Sequence, residues 1–180
     1  MAKRNIFVLV GGISKNSLNQ QLFEFVKEYA GGEMAFDQAD IAALPYFSQD
    51  IENDPPAVVK DFQARAAKSD AVLVITPEYN RSFPGVLKNA IDWGSRPPGT
   101  NVWAGKPAAI MGATPGAMGT FGAQNELRQV LSFLGLAVMP APQFYFTSTG
   151  NVVDEKLTEK SAEFLKKFLN AFETWIDKLK

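Results

Sequence analysis

The chain has 180 residues, a length that suits one ordinary globular domain. Apolar residues make up 46% and charged residues 21%, with a formal net charge of −1; this excludes a disordered chain and the basic footprint needed by nucleic acid or an anionic membrane. Cysteine and histidine are both absent, which removes disulfides, thiolate nucleophiles, Cys- or His-ligated metals and Ser-His-Asp triads, and leaves any redox chemistry to a borrowed cofactor.

The chain opens on the basic stretch Met1-Ala2-Lys3-Arg4, and residues 6–10 form a continuous β-branched apolar run ended by Gly11-Gly12. Five apolar residues are too few for a signal-peptide core or a membrane span, so a cytoplasmic protein is expected. A helix follows, with Leu18, Leu22, Phe25, Val26 and Tyr29 on one stripe and Ser17 with Gln20 as a capping box. Residues 34–36 read as a short strand, and residues 56–68 as a helix after a Pro-rich loop. Residues 71–76 form a second run, apolar through Ile75 and closed by Pro77, and Pro84 stands in the first turn of the next helix. Residues 107–111 form a third run, ending at Gly112. A helix carrying Leu127, Val130, Leu131 and Leu134 comes next. The last strand region is 137–139, continuing past Pro140 and Pro142 into 144–147. Leu165, Phe168, Leu169, Phe172, Ile176 and Leu179 line a long final helix.

Strands that are apolar at every position suit a parallel sheet covered on both faces. Five strands alternating with five helices predict an α/β fold: a flavodoxin-like doubly wound five-stranded parallel sheet, order 2-1-3-4-5, helices on both faces, with residues 1–180 as one domain. In such a sheet a ligand lies beyond the carboxyl ends of the strands, at the switch point. The loops after strands one, three and four should therefore build the site.

The first loop, Gly11-Gly12-Ile13-Ser14-Lys15-Asn16-Ser17-Leu18-Asn19, carries neither Gly-x-Gly-x-x-Gly nor a phosphate-loop pattern. It offers hydroxyl and amide donors at a helix start, where first-turn N–H groups and the helix dipole favour an anion such as a phosphate monoester. Read alone, Ser17 is as readily a plain helix cap. The second loop runs from Thr76 to Gly85 and mixes turn formers with Glu78, Tyr79 and Arg81, which suits a flat ring with a polar edge. Read alone, it is an exposed turn leading into a helix. The third, residues 112–122, holds four glycines that let backbone approach a planar ligand, and the helix after it would aim its positive end there, to the benefit of a reduced flavin. Read alone, it is a flexible connection.

Together these segments resemble the NADPH-dependent FMN reductase family, which includes bacterial quinone and chromate reductases. The most specific part is Thr76-Pro77-Glu78-Tyr79-Asn80 with Ser82, Pro84-Gly85 and Leu87-Lys88-Asn89-Ala90-Ile91-Asp92-Trp93; Ser17-x-Asn19, Ala104-Gly105-Lys106-Pro107 and the loop from Gly112 support it. The resemblance implies FMN, NADH or NADPH as electron donor, and homodimers or tetramers with the flavin at the dimer interface. It implies a cofactor-binding set of Ser14, Ser17, Leu18, Asn19, Pro77, Glu78, Tyr79, Asn80, Ser82, Thr114, Pro115 and Gly116. Ser17 and Asn19 would contact the phosphate, and Thr114 with Gly116 the isoalloxazine. The segment holding Tyr46, Phe47 and Asp50 resembles the one that walls the partner subunit's flavin, and Arg96 a cation serving an anionic substrate or the NAD(P)H phosphates. One departure stands out: many relatives have Gly-Ser-Leu-Arg where this chain has Gly11-Gly12-Ile13-Ser14, so the arginine is missing from the first loop.

The implied reaction carries two electrons from NAD(P)H through FMN to quinones or other small oxidants, with chromate, azo and nitro compounds all accepted within the family. It needs no catalytic side chain and no metal, because the protein binds, orients and tunes the flavin. A flavodoxin-type electron carrier without its own NAD(P)H site is the competing reading, against which the near-neutral charge argues. A phospho-receiver would need an Asp after strand three, where this chain has Thr76-Pro77.

Overall fold

A computed structural model describes residues 3–180; Met1 and Ala2, the first half of the basic opening stretch, lie outside the described residues. The strands are β1 (Arg4–Val10), β2 (Met34–Gln38), β3 (Ala71–Ile75), β4 (Pro107–Thr114), β5 (Ala137–Val138) and β6 (Phe144–Thr147). They form one parallel sheet in the order β2-β1-β3-β4-β5, with β6 also paired to β4. The flavodoxin-like order expected from the sequence is therefore present.

Alternation along each strand sorts the core into two layers. Ile6, Val8, Val10, Leu73, Ile75, Ala109 and Met111 face α1 (Leu18–Tyr29) and α5 (Glu159–Lys178). Phe7, Leu9, Val72, Val74, Ala108 and Ile110 face α2 (Ala57–Lys68), α3 (Gly85–Gly94) and α4 (Phe121–Phe133). The strands expected to be apolar throughout are so because both faces are covered. On the outer side, α5 anchors β1 through Arg4, which donates to Asp177 Oδ2 at 2.7 Å and Glu173 Oε1 at 2.6 Å.

The last sheet position is shared by two segments. β5 pairs with Pro107–Ala108 and β6 with Met111–Thr114, because Pro140 and Pro142 interrupt the ladder between them. That pairing keeps β4 in the sheet to Thr114, three residues beyond the end expected at Met111. Gly112 thus belongs to the strand, and a side chain there would overlap Thr76 O and Thr120 Oγ1. A small hairpin, β7 (Val152–Val153) with β8 (Lys156–Leu157), turns through Asp154 and Glu155 at φ 48° and 60° and had no sequence signal of the Asn-Gly kind. Among the described residues no helix is long and apolar enough to cross a membrane.

Candidate functional site

The loops after β1, β3 and β4 meet in one cavity of about 290 Å³ lined by Ser14, Asn16, Ser17, Leu18, Asn19, Pro77, Glu78, Tyr79, Ala113, Thr114 and Pro115. Larger hollows exist elsewhere, including one of about 540 Å³ between Phe47, Arg96 and Phe133. The smaller cavity is the candidate because it joins all three loops at the switch point. Nine of the twelve residues expected to bind the cofactor line it. Asn80, Ser82 and Gly116 do not; they shape its loops instead.

Its floor is the N-terminus of α1. Ser17 Oγ accepts from Gln20 N at 3.2 Å, and the helix start is fixed. Only half of the expected capping box forms: Gln20's side-chain amide reaches Gln38 and Glu24 rather than Ser17 N, which donates to Ser14 O. Asn19 is 2% exposed, and its side chain is committed to backbone: Nδ2 donates to Ala113 O at 3.0 Å and Ala113 N donates to Oδ1 at 2.9 Å. This two-point bracket holds α1 against β4. Among the described residues the Leu18 and Asn19 N–H groups find no acceptor, so two first-turn donors remain available. Gly12 passes so close to Ser17 that a Cβ on it would overlap Ser17 Oγ.

This donor set suits a phosphate monoester. Free N–H groups at a helix start, Ser14, Ser17 and Asn16 line this end of the cavity, and Glu78, the acidic residue in its lining, belongs to the facing loop. Asn16 was missed by sequence reasoning, which passed over it between Ser14 and Ser17; the uninterrupted run of polar side chains was the available signal.

One wall is the β3 loop. Tyr79 N donates to Ser82 O at 2.9 Å and Ser82 N to Tyr79 O at 3.0 Å, closing a tight turn with Asn80 and Arg81 at φ 52° and 69°. Both corners are left-handed without a glycine, a conformation that surrounding contacts must enforce. Tyr79 is exposed at the mouth. Glu78 points the other way: Oε2 accepts from Ala123 N at 3.1 Å, in the first turn of α4. The positive end of α4, expected to aim at the ligand, therefore meets a carboxylate. The reason is local: Thr120 sits at φ 68° and makes no capping bond, so the helix is capped from the other loop.

The opposite wall, from β4, is tied down rather than flexible. Thr147 Oγ1 donates to Gly116 O at 3.0 Å and Thr149 Oγ1 to Pro115 O at 3.0 Å.

The segment 45–50 lies apart from this cavity in the same chain. Tyr46 is 88% exposed, whereas Phe47 packs edge-on against Trp93 at 5.1 Å and its N–H donates to Asn89 Oδ1 at 2.8 Å. Asn89 Nδ2 and Trp93 Nε1 both donate to Pro45 O, at 2.9 and 2.8 Å. Asp50 accepts from Ser48 Oγ at 3.1 Å. Arg96 stacks over Phe47 at 5.7 Å and lies 3.7 Å from Glu52 Oε2, on the 540 Å³ cavity rather than the three-loop one.

A doubly wound sheet with a phosphate-ready helix start and two facing loops at its switch point defines a flavodoxin-like, FMN-binding class of protein. Residues 4–151 match the family model described as NADPH-dependent FMN reductase. The chain is 41% identical over 174 residues to a 2-hydroxy-1,4-benzoquinone reductase from Burkholderia sp., covering 95% of each chain. It is 38% identical to an NAD(P)H-dependent FMN reductase from Pseudomonas aeruginosa, covering 94% of each. Among solved structures, FerB, a flavoenzyme NAD(P)H:(acceptor) oxidoreductase from Paracoccus denitrificans, superposes with a TM-score of 0.93 at 41% identity, covering 97% of this chain and 98% of that one. The chain belongs to the NADPH-dependent FMN reductase family. It is an FMN-dependent oxidoreductase with NADH or NADPH as its electron source.

Proposed function

We propose that the chain, acting as one FMN-binding domain, passes two electrons from NADH or NADPH through FMN to quinones. The observation that carries this is the convergence of the three loops on one cavity whose helix-start donors match a phosphate. Similarity to reductases named for quinone substrates supports the choice of acceptor.

In this reading the Leu18 and Asn19 N–H groups, with Ser14, Asn16 and Ser17, hold the phosphate. Asn19's side chain contributes by bracing the helix start rather than by touching the ligand. Pro77, Tyr79 and the Asn80–Ser82 turn lie along one side of the isoalloxazine, and Thr114, Pro115 and Gly116 along the other. FMN, when bound, supplies the hydride-accepting and electron-donating centre; the chain's residues anchor it, orient it and leave one face open to nicotinamide and oxidant in turn. Chromate, azo and nitro compounds fit the same open face.

The open face is completed by a second copy of the chain. Exposed Phe133 lines the 540 Å³ hollow, exposed Tyr46 stands next in sequence to its other aromatic lining residue, Phe47, and aromatic surface of this size is costly to leave in water. Tyr46 supplies the wall to the partner's flavin while Phe47 holds the loop from within, with Asp50 at its far end. Arg96 meets an anionic oxidant or the NAD(P)H phosphates from that side. The protein works in the cytoplasm as a homodimer or a tetramer built from dimers.

Steady-state oxidation of NADPH by the FMN-loaded protein, with 1,4-benzoquinone as acceptor, tests the assignment. One NADPH should be consumed per quinone reduced, at a rate set by quinone concentration. NADPH oxidation that free FMN stimulates and quinone leaves unchanged would contradict it.

A further inference from the structure

We propose that Glu78 is a positioning residue that clamps the Tyr79–Ser82 turn to the start of α4 and, through its charge, holds down the reduction potential of the flavin. This rests on placing the flavin in the three-loop cavity.

The clamp is visible in two contacts and in the room left around them. Glu78 lines the cavity, yet its side chain is only 11% exposed. Oε2 accepts from Ala123 N at 3.1 Å, a bond between residues 45 positions apart. Oε1 lies 3.6 Å from Arg81 Nη1. Gly122 makes the approach possible: a Cβ there would stand 2.8 Å from Arg81 O and 3.2 Å from Glu78 Oε2. No local residue substitutes for Glu78, since α4 has no acidic residue in its first turn and no side-chain bond from Thr120. The left-handed Asn80 and Arg81 are thus held from outside, and the backbone that borders the ring is fixed before any ligand arrives.

The charge has a separate effect. A helix start carries roughly half a positive charge, which would favour the electron-rich form of a neighbouring flavin. The Glu78 carboxylate, 11% exposed and bonded directly to the Ala123 N–H, offsets it, while the paired Arg81 guanidinium is 78% exposed and screened by solvent. Removing that charge while keeping an acceptor should leave the clamp and raise the potential; removing both should loosen the clamp as well.

Glu78→Gln and Glu78→Ala separate the two effects. Calorimetric titration of the apo-proteins should find that Glu78→Gln binds FMN within about threefold of wild type, and Glu78→Ala at least about tenfold more weakly. The midpoint potential of Glu78→Gln should move positive by an amount equal to several-fold tighter holding of the reduced form, at about 30 mV per tenfold for a two-electron couple. Amide exchange at Ala123 in the apo-protein should quicken in Glu78→Ala and not in Glu78→Gln. An unchanged potential in Glu78→Gln overturns the electrostatic role. Unchanged FMN affinity and Ala123 exchange in Glu78→Ala overturn the clamp. Ser17→Ala serves as the control on the site itself: if it leaves FMN affinity unchanged, the flavin lies elsewhere and both readings fall, whereas weaker FMN binding there with no effect at Glu78 overturns this inference alone.

Discussion

The contact between Gly12 and Ser17 makes a demanding test of the phosphate end of the site. Gly12 has no left-handed φ, so alanine there is opposed by space alone. Its Cβ would overlap Ser17 Oγ and stand 3.3 Å from Ser17 Cβ and 3.4 Å from Asn19 Cβ. The hydroxyl must swing away, and the 3.2 Å cap to Gln20 N goes with it. Losing such a cap costs about 1 kcal/mol of stability. Displacing a hydroxyl bound to a charged phosphate costs a further ~1.5–3 kcal/mol of FMN affinity, roughly tenfold to a hundredfold. Riboflavin, which lacks the phosphate, should lose little. The decisive comparison is a double-mutant cycle. Ser17→Ala removes the atom in the way, so Gly12→Ala should cost far less in that background, with a coupling of about 0.5–1 kcal/mol or more. Denaturant unfolding of the apo-protein and calorimetric FMN titration read the two quantities. Strictly additive effects, or equal losses for FMN and riboflavin, would refute the reasoning.

Asn19→Ala should destabilise the fold by about 2–4 kcal/mol, more than Ser17→Ala, because it strands both the N–H and the C=O of buried Ala113; urea unfolding measures it. Arg81→Gly should stabilise the apo-protein by about 0.5–1 kcal/mol by relieving a left-handed arginine that is 78% exposed, seen as a higher Tm. The pH dependence follows from depressed carboxylates, of which two tie distant segments of the chain together. Asp70 is held low chiefly by the Asn5 N–H and then by Lys180, and Asp177 by Arg4. Their contribution is complete above the usual aspartate value near ~4 and is lost as pH falls through the lower folded values, so stability should decline on the acid side, and Arg4→Met should flatten that decline. Tyr46→Ala should weaken self-association in sedimentation and slow flavin reduction without disturbing the fold; Phe47→Ala is the poorer probe, since it also empties the face of Trp93.

The sheet was legible because residues 6–10 of β1, all of β3 and the first part of β4 are apolar at every position, a pattern that suits strands covered on both faces. Their order put the site at three loops, and those loops do meet. What escaped the sequence was the assignment of side chains within the site. Nothing in Ser17-Leu18-Asn19 says that Asn19 turns inward to Ala113, 94 residues away. Nothing in Pro77-Glu78-Tyr79 says that Glu78 caps a helix beginning at Phe121, because the cap follows from Thr120's left-handed backbone and from the room left by Gly122. The same holds for Phe47, whose fate depends on Trp93. Local patterns register periodicity and caps drawn from neighbouring residues; bonds between distant loops depend on packing.

Anaerobic mixing of the FMN-loaded protein with NADH or NADPH tests the central claim most directly, followed through the flavin absorbance near its visible maximum. The visible band should bleach without any partner enzyme, and a later addition of 1,4-benzoquinone should restore it, one quinone per flavin. A flavin that dithionite bleaches but neither NADH nor NADPH reduces would contradict the account and leave an electron carrier in its place.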